Sequence, residues 1–161
     1  EVGYMRLGTR SRYGTRAMLD LAIHYEQGPV VMKDVAQRQE VSESYLENLM
    51  IPLRASGLVR TERGSRGGYA LSQSPSQITL GQIVRTLEGS LAPVFCLDDP
   101  NRCHRYARCV TRVIWGRIHQ AIANTLDSIT LADLVTMHNE AVAEQGAITS
   151  TNQPDSCEWH I

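Results

Sequence analysis

The sequence predicts a mostly α-helical protein with one small β-hairpin, a winged helix-turn-helix followed by a long helix. Three observations carry that expectation. Two short amphipathic segments stand in tandem around residue 40, and a Gly-rich basic turn, Arg63-Gly64-Ser65-Arg66-Gly67-Gly68, separates two short β-like runs. An apolar stripe then starts at Val110 and continues for about five helical turns.

In chain order, Met18, Leu21, Ala22 and Tyr25 recur at helical spacing, so a helix is expected from Ser11 to Glu26, closed by Gly28-Pro29. A short helix follows over Met32–Gln39. Ser42 is placed to cap the next helix, with Glu43 in the first turn, where the helix dipole favours an acid. Leu46, Leu49, Met50 and Leu53 form its apolar stripe, and Gly57 stops it. Two helices joined by a short turn are the helix-turn-helix plan. That turn usually holds a glycine, and Glu40 stands there instead.

Leu58–Arg63 and Tyr69–Ser72 read as the strands of a wing, and Thr79 as the cap of a helix reaching Glu88. Ser90–Arg108, with Pro93, Pro100 and no periodicity, reads as a loop. The stripe Val110, Val113, Ile114, Ile118, Ala121, Ile122, Leu126 is expected to pack against a second copy, making a homodimer. A last short helix is expected over residues 129–143 with Thr130 as cap. Its Thr130-Leu131-x-x-Leu134-Val135 echoes Thr79-Leu80-x-x-Ile83-Val84, too briefly to count as a repeat. The organisation is thus a winged-helix domain (5–90), a cysteine-bearing loop (91–108), a dimerisation helix with a C-terminal helix (109–145) and a polar tail (146–161) expected to be disordered.

Hydrophobic residues at 42% and charged residues at 20% suit an ordinary globular core, and no apolar run reaches membrane-spanning length. With no secretory pattern at its start, the chain is expected in the cytoplasm. Four cysteines there favour metal or redox chemistry over a disulfide framework. The net charge of −1 hides an asymmetry: residues 5–72 hold ten Lys and Arg against seven Asp and Glu, residues 73–161 six against nine. A basic head and an acidic rear fit a DNA-binding head with a partner-binding tail. Catalysis is not expected. There is no Ser-His-Asp set, and the Gly-rich turn lacks the Gly-Lys-Ser/Thr ending of a phosphate-binding loop.

In a helix-turn-helix the N-terminal part of the second helix faces base edges in the major groove. Here that places Ser42, Ser44, Tyr45, Glu47 and Asn48 as candidates, with Arg54 further along. Ser and Asn can donate and accept, while Glu can accept from a cytosine amino group. Arg63, Ser65, Arg66 and Gly67 at the wing tip, and Arg6, Arg10, Arg12 and Arg16 near the first helix, are candidates for backbone or minor-groove contacts. The separate cluster Cys96, Cys103, Cys109 suggests ligands for iron or zinc, although its spacing is neither a zinc knuckle nor a ferredoxin run.

Met5-Arg6-Leu7, Arg12-Tyr13, Ala17-Met18-Leu19, Ser44-Tyr45-Leu46-Glu47, Leu53-Arg54, Gly57-Leu58-Val59 and Arg63-Gly64-x-x-Gly67-Gly68-Tyr69 together resemble the IscR/NsrR family of bacterial winged-helix regulators. The three cysteines, Trp115 and Ile129-Thr130-Leu131 extend the likeness, which spans about Met5 to Glu144. The resemblance implies a homodimer that binds double-stranded operator DNA. It also implies an iron–sulfur cluster, [2Fe-2S] or [4Fe-4S], on Cys96, Cys103 and Cys109, sensing cluster supply, iron, redox state or nitric oxide. A cluster takes a fourth ligand. The IscR branch supplies a His three residues after the third cysteine, where this chain has Arg112; the NsrR branch uses an acidic residue where it has Arg12. Neither arginine can ligate. His104, Asp98, Asp99, His119, Cys157, a partner's acid, or a small thiol or water remain as fourth-ligand candidates. Three alternatives stand beside the cluster: a thiol- or metabolite-responsive regulator, a constitutive DNA binder holding structural zinc through His104 or His119, and an electron carrier.

Overall fold

The computed structural model describes residues 8–64 and 67–148, the last three by backbone alone. Arg6, Ser65, Arg66 and Cys157 lie outside the described residues. The elements are α1 (Thr9–Ile23), α2 (Met32–Gln39), α3 (Glu43–Ala55), β1 (Val59–Glu62), β2 (Gly68–Leu71), α4 (Leu80–Glu88), α5 (Phe95–Asp98), α6 (Val110–Ser128) and α7 (Leu131–Ile148).

α1 ends earlier than its apolar spacing suggests. The chain tightens into a 3-10 turn over Tyr25–Gln27, and Tyr25 stays exposed instead of extending the buried stripe. The opposite end of α1 has no side-chain cap of its own from Gly8. Glu88, at the end of α4, reaches across instead, and its Oε1 accepts from the backbone N–H of Gly8 (3.1 Å) and Ser11 (2.9 Å). A remote carboxylate thereby satisfies donors that every helix N-terminus leaves open, with the favourable sign for the helix dipole.

Between α2 and α3, Glu40 takes the left-handed conformation (φ 54°, ψ 44°) that a glycine would adopt most easily. Val41 N–H closes the turn on the Ala36 carbonyl at 3.1 Å. The missing glycine is thus replaced by local strain of about 1–2 kcal/mol, which the packed helices on either side outweigh. Ser42 caps α3 as expected, its Oγ accepting from Tyr45 N–H at 3.2 Å.

Met18 and Leu21 of α1, Val35 of α2, Leu46, Leu49, Met50 and Leu53 of α3, Leu71 of β2, Ile83 and Leu87 of α4 and Leu131 of α7 make one continuous core. Asp20 is buried in the α1–α2 contact at 3% exposure. Arg38 meets it bidentately, Nε to Oδ2 at 2.8 Å and Nη2 to Oδ1 at 2.6 Å, and Gln39 adds a third donor at 3.3 Å. The Asp20 hydrogen bond raises the Arg38 pKa further, so the guanidinium stays charged wherever the protein folds.

The sequence echo around Thr79 and Thr130 is a structural pair. Both threonines close capping boxes, Thr79 with Gln82 and Thr130 with Asp133. The two segments also bridge antiparallel, Leu80 N–H to the Ile129 carbonyl (2.8 Å) and Leu131 N–H to the Ile78 carbonyl (2.9 Å). The starts of α4 and α7 are thus joined, with Ile78 and Leu131 fully buried beneath. The Thr130 hydroxyl holds the Asp133 carboxyl below its usual range, so this cap persists on acidification until pH falls through that lowered value. α7 runs to Ile148, beyond the short helix expected, because neither Gly nor Pro interrupts residues 131–145.

Candidate nucleic-acid interface and cysteine segment

α3 divides cleanly by burial. Leu46, Leu49, Met50 and Leu53 face the core at 2% exposure or less, while Ser44, Glu47, Asn48, Ile51 and Arg54 are exposed. Ser42 spends its oxygen lone pair on the cap but keeps its O–H free to donate. Tyr45 is placed differently from the other groove candidates. It is half-buried, its ring stands edge-on to Tyr13 at 5.9 Å, and its buried hydroxyl has no partner among the described residues. Tyr45 therefore braces α3 against α1 and does not lie on the exposed face with Ser44, Glu47 and Asn48. Arg12 and Arg16 flank the Tyr13 ring at 5.3 and 5.4 Å, and Arg16 also bonds Gln39. Arg10 and Arg12 remain exposed.

β1 and β2 pair antiparallel with Val59 opposite Leu71 and Glu62 opposite Gly68. A third segment joins them: Val30 and Tyr69 exchange both backbone hydrogen bonds at 2.8 Å. This tie anchors the wing to the start of the helix-turn-helix, and it requires glycine at 68. A Cβ there would lie 2.6 Å from the Val30 carbonyl carbon and closer still to its oxygen. Gly68→Ala is expected to lower stability by about 1–3 kcal/mol, read by chemical denaturation, and to loosen the Val30–Tyr69 bridge, read by faster amide exchange at Tyr69. At the wing tip Arg63 is exposed and bonds to no described residue, and Gly67 folds back through its N–H to the Gly64 carbonyl at 3.0 Å.

The segment after α4 is more ordered than a loop. Val94 opens into α5, and 3-10 turns follow over Pro100–Arg102 and Tyr106–Arg108. Each is shorter than an apolar period can reveal. Cys96 lies buried on α5, whereas Cys103 and Cys109 are half-exposed. Asp98 accepts from Ser90 Oγ at 2.6 Å, and Asp99 caps its own 3-10 turn through Asn101 N–H at 3.1 Å. His104 is exposed, and His119 is half-buried on α6. Among the described residues no three His, Cys, Asp or Glu side chains gather into a group that could hold a metal ion.

Cys109 occupies the N-cap position of α6 without a side-chain capping bond, beside a cavity of about 410 Å³ lined by Arg105, Arg108, Val110 and Thr111. The Thr111 hydroxyl, 3.2 Å from Sγ, and then the Arg112 backbone hold this thiol below its ordinary pKa. Arg112 itself stacks over Tyr106 at 4.2 Å, its Nε buried and unpartnered among the described residues.

Comparison with known proteins places this arrangement. Residues 7–137 match the family model Rrf2, described as an iron-dependent transcriptional regulator. The chain is similar to protein rrf2 of Nitratidesulfovibrio vulgaris, 46% identical over 131 residues that cover 81% of this chain and 87% of that one. Among solved structures it is similar to CymR, the global cysteine regulator of B. subtilis (TM-score 0.71, 42% identity, 82% of this chain and 97% of that one). It is also similar to T. potens IscR (TM-score 0.70, 43% identity, 84% and 90%). The chain belongs to the Rrf2 family.

As an Rrf2 protein it is a winged-helix, DNA-binding transcriptional regulator, and the proteins it matches are regulators and not enzymes. No helix among the described residues is long and apolar enough to cross a membrane. Three features of this Rrf2 chain are absent from the sequence-based expectations above: the Val30–Tyr69 bridge, the capping of α1 by Glu88, and the exposure of Ile51. The first two join residues far apart in the chain and leave no local signal. The third was available from the helical positions 44, 47, 48 and 51, which share one face.

Proposed function

We propose that the chain acts in the cytoplasm as a homodimeric regulator of operator binding, with the segment bearing Cys96, Cys103 and Cys109 as its sensing element. The observation that carries this reading is position. The segment leaves α4, the last helix of the DNA-binding unit, and enters α6, and α5 packs against α6. α6 buries no residue within the protomer and exposes Val110, Val113, Ile114, Trp115 and Ile118, a face suited to a second copy. A change in the segment therefore shifts the dimer helix against the DNA-binding unit. A coupling of about 1–3 kcal/mol would change operator affinity roughly 5–150-fold.

The resemblance to IscR and the iron-dependent family description favour an iron–sulfur cluster as the group sensed. The residues as placed do not fit one, because the thiols are not gathered and Arg112 occupies the position of the IscR-type histidine. That same observation favours a second reading, in which the thiols respond directly to oxidation or to a metabolite, Cys109 first because its thiolate is favoured. Iron, acid-labile sulfide and zinc per chain, with a visible spectrum, on protein purified without oxygen separate the readings. Iron and sulfide in matching amounts are the result expected of the cluster reading. Metal-free protein whose operator binding changes on thiol oxidation would replace it with the second.

The DNA contacts are proposed as Ser42 at the cap of α3, Ser44, Glu47, Asn48 and Arg54 along it, and Arg63, Ser65 and Arg66 of the Gly-rich turn. Arg63→Ala is expected to weaken binding to all duplexes alike and to reduce the salt slope by about one. Glu47→Ala is expected instead to change preference at one base position by about 1–3 kcal/mol. Titrations at two or more salt concentrations check both.

A further inference from the structure

We propose that Ile51 is a specificity-determining residue of this regulator, reading the 5-methyl group of a thymine in the major groove. Ser44, Glu47, Asn48 and Ile51 stand at i, i+3, i+4 and i+7 on α3, the spacing with which a recognition helix presents side chains to base edges. At 3.6 residues per turn they share an arc of about 100°, and Ile51 falls inside that arc. All four are exposed. Ile51 is 57% exposed, whereas Leu46, Leu49, Met50 and Leu53 of α3 are at most 2% exposed.

Among the described residues this side chain stays more than half exposed, and its neighbours on the face are polar. Ser, Glu and Asn can test hydrogen-bond donors and acceptors, but none of them favours a methyl group. In the major groove the thymine methyl is the apolar mark that a side chain such as isoleucine can select. Ile51 also lies about 10 Å along the helix axis from Ser44, so it would address a different base pair from the one that Ser44 meets. The next residue, Pro52, has no N–H, so it cannot bond the Asn48 carbonyl in the usual helical way.

The test starts from duplexes selected out of a random library by the wild-type protein. Each thymine is then replaced singly by deoxyuridine, which removes only the methyl group. At one thymine per half-site the wild type is expected to lose about four-fold in affinity, the worth of one buried methyl. Ile51→Ala is expected to bind the thymine duplex more weakly by a similar factor and to ignore the replacement, while Ile51→Val keeps part of the discrimination. A wild type indifferent to every thymine methyl overturns the proposal. So does an Ile51→Ala protein that discriminates as the wild type does, or one whose only change is a shift from dimer to monomer in sedimentation. Failure to select any duplex would instead strike at DNA binding itself.

Discussion

Replacing Arg38 by alanine is expected to lower the unfolding free energy by about 2–3 kcal/mol, somewhat below what breaking a fully buried ion pair costs. The carboxylate of Asp20 is 4% exposed, and Arg38 supplies two of its three side-chain donors. Without them a charge remains inside the α1–α2 contact with Gln39 and the nearby His24 ring, whose Nδ1 lies 3.4 Å from Oδ1. Arg38 is itself 40% exposed, and solvent reaching that side moderates the loss. Urea denaturation checks the magnitude. A loss under about 0.5 kcal/mol would show that the pair behaves as an exposed one. Operator binding should fall as well, since α2 sets the position of α3 and the network runs on through Gln39 to Arg16.

On the proposed homodimer, Ile114→Glu is expected to favour the monomer and to cut operator affinity by about 100-fold or more, because two linked half-site contacts become independent. Ile114 is 51% exposed within the protomer and is flanked on α6 by Val113, Trp115 and Ile118. A carboxylate buried among such residues loses its hydration with no cation to offset the loss. The isolated protomer should keep its fold, as α6 contributes no buried residue to the core. Sedimentation and far-UV circular dichroism separate the two effects. A dimer of parental affinity would remove this face from the interface.

The elements were legible wherever the information is local. The approximate bounds expected for α2 agree with the structure, and apolar spacing selected the four buried side chains of α3, because periodic burial is a property of a single helix. Ser42, Thr79 and Thr130 announced their caps because the bonds close within three residues. The cysteine segment was harder to read, since α5 and its 3-10 turns are too short for a period to show. The packing of Tyr45 was hidden for a related reason. Its proximity to the start of α3 suggested the groove, but the side of a helix on which an aromatic packs depends on what the neighbouring helix offers, here Tyr13.

Chain order and residue type alone therefore established a winged helix, its recognition helix, its basic wing and a long helix left without a partner. These follow from periodicity, capping and turn chemistry, which act over a few residues. The folded molecule decided the rest: that Glu88 caps a helix some 80 residues earlier, that Val30 ties down the wing, and that two brief Ile-Thr-Leu echoes bridge each other. It also showed that three nearby cysteines are not gathered. Each of these depends on which surfaces the core brings together. Spacing along a chain limits that choice without making it, because the packing free energy that selects one arrangement comes from residues distant in sequence.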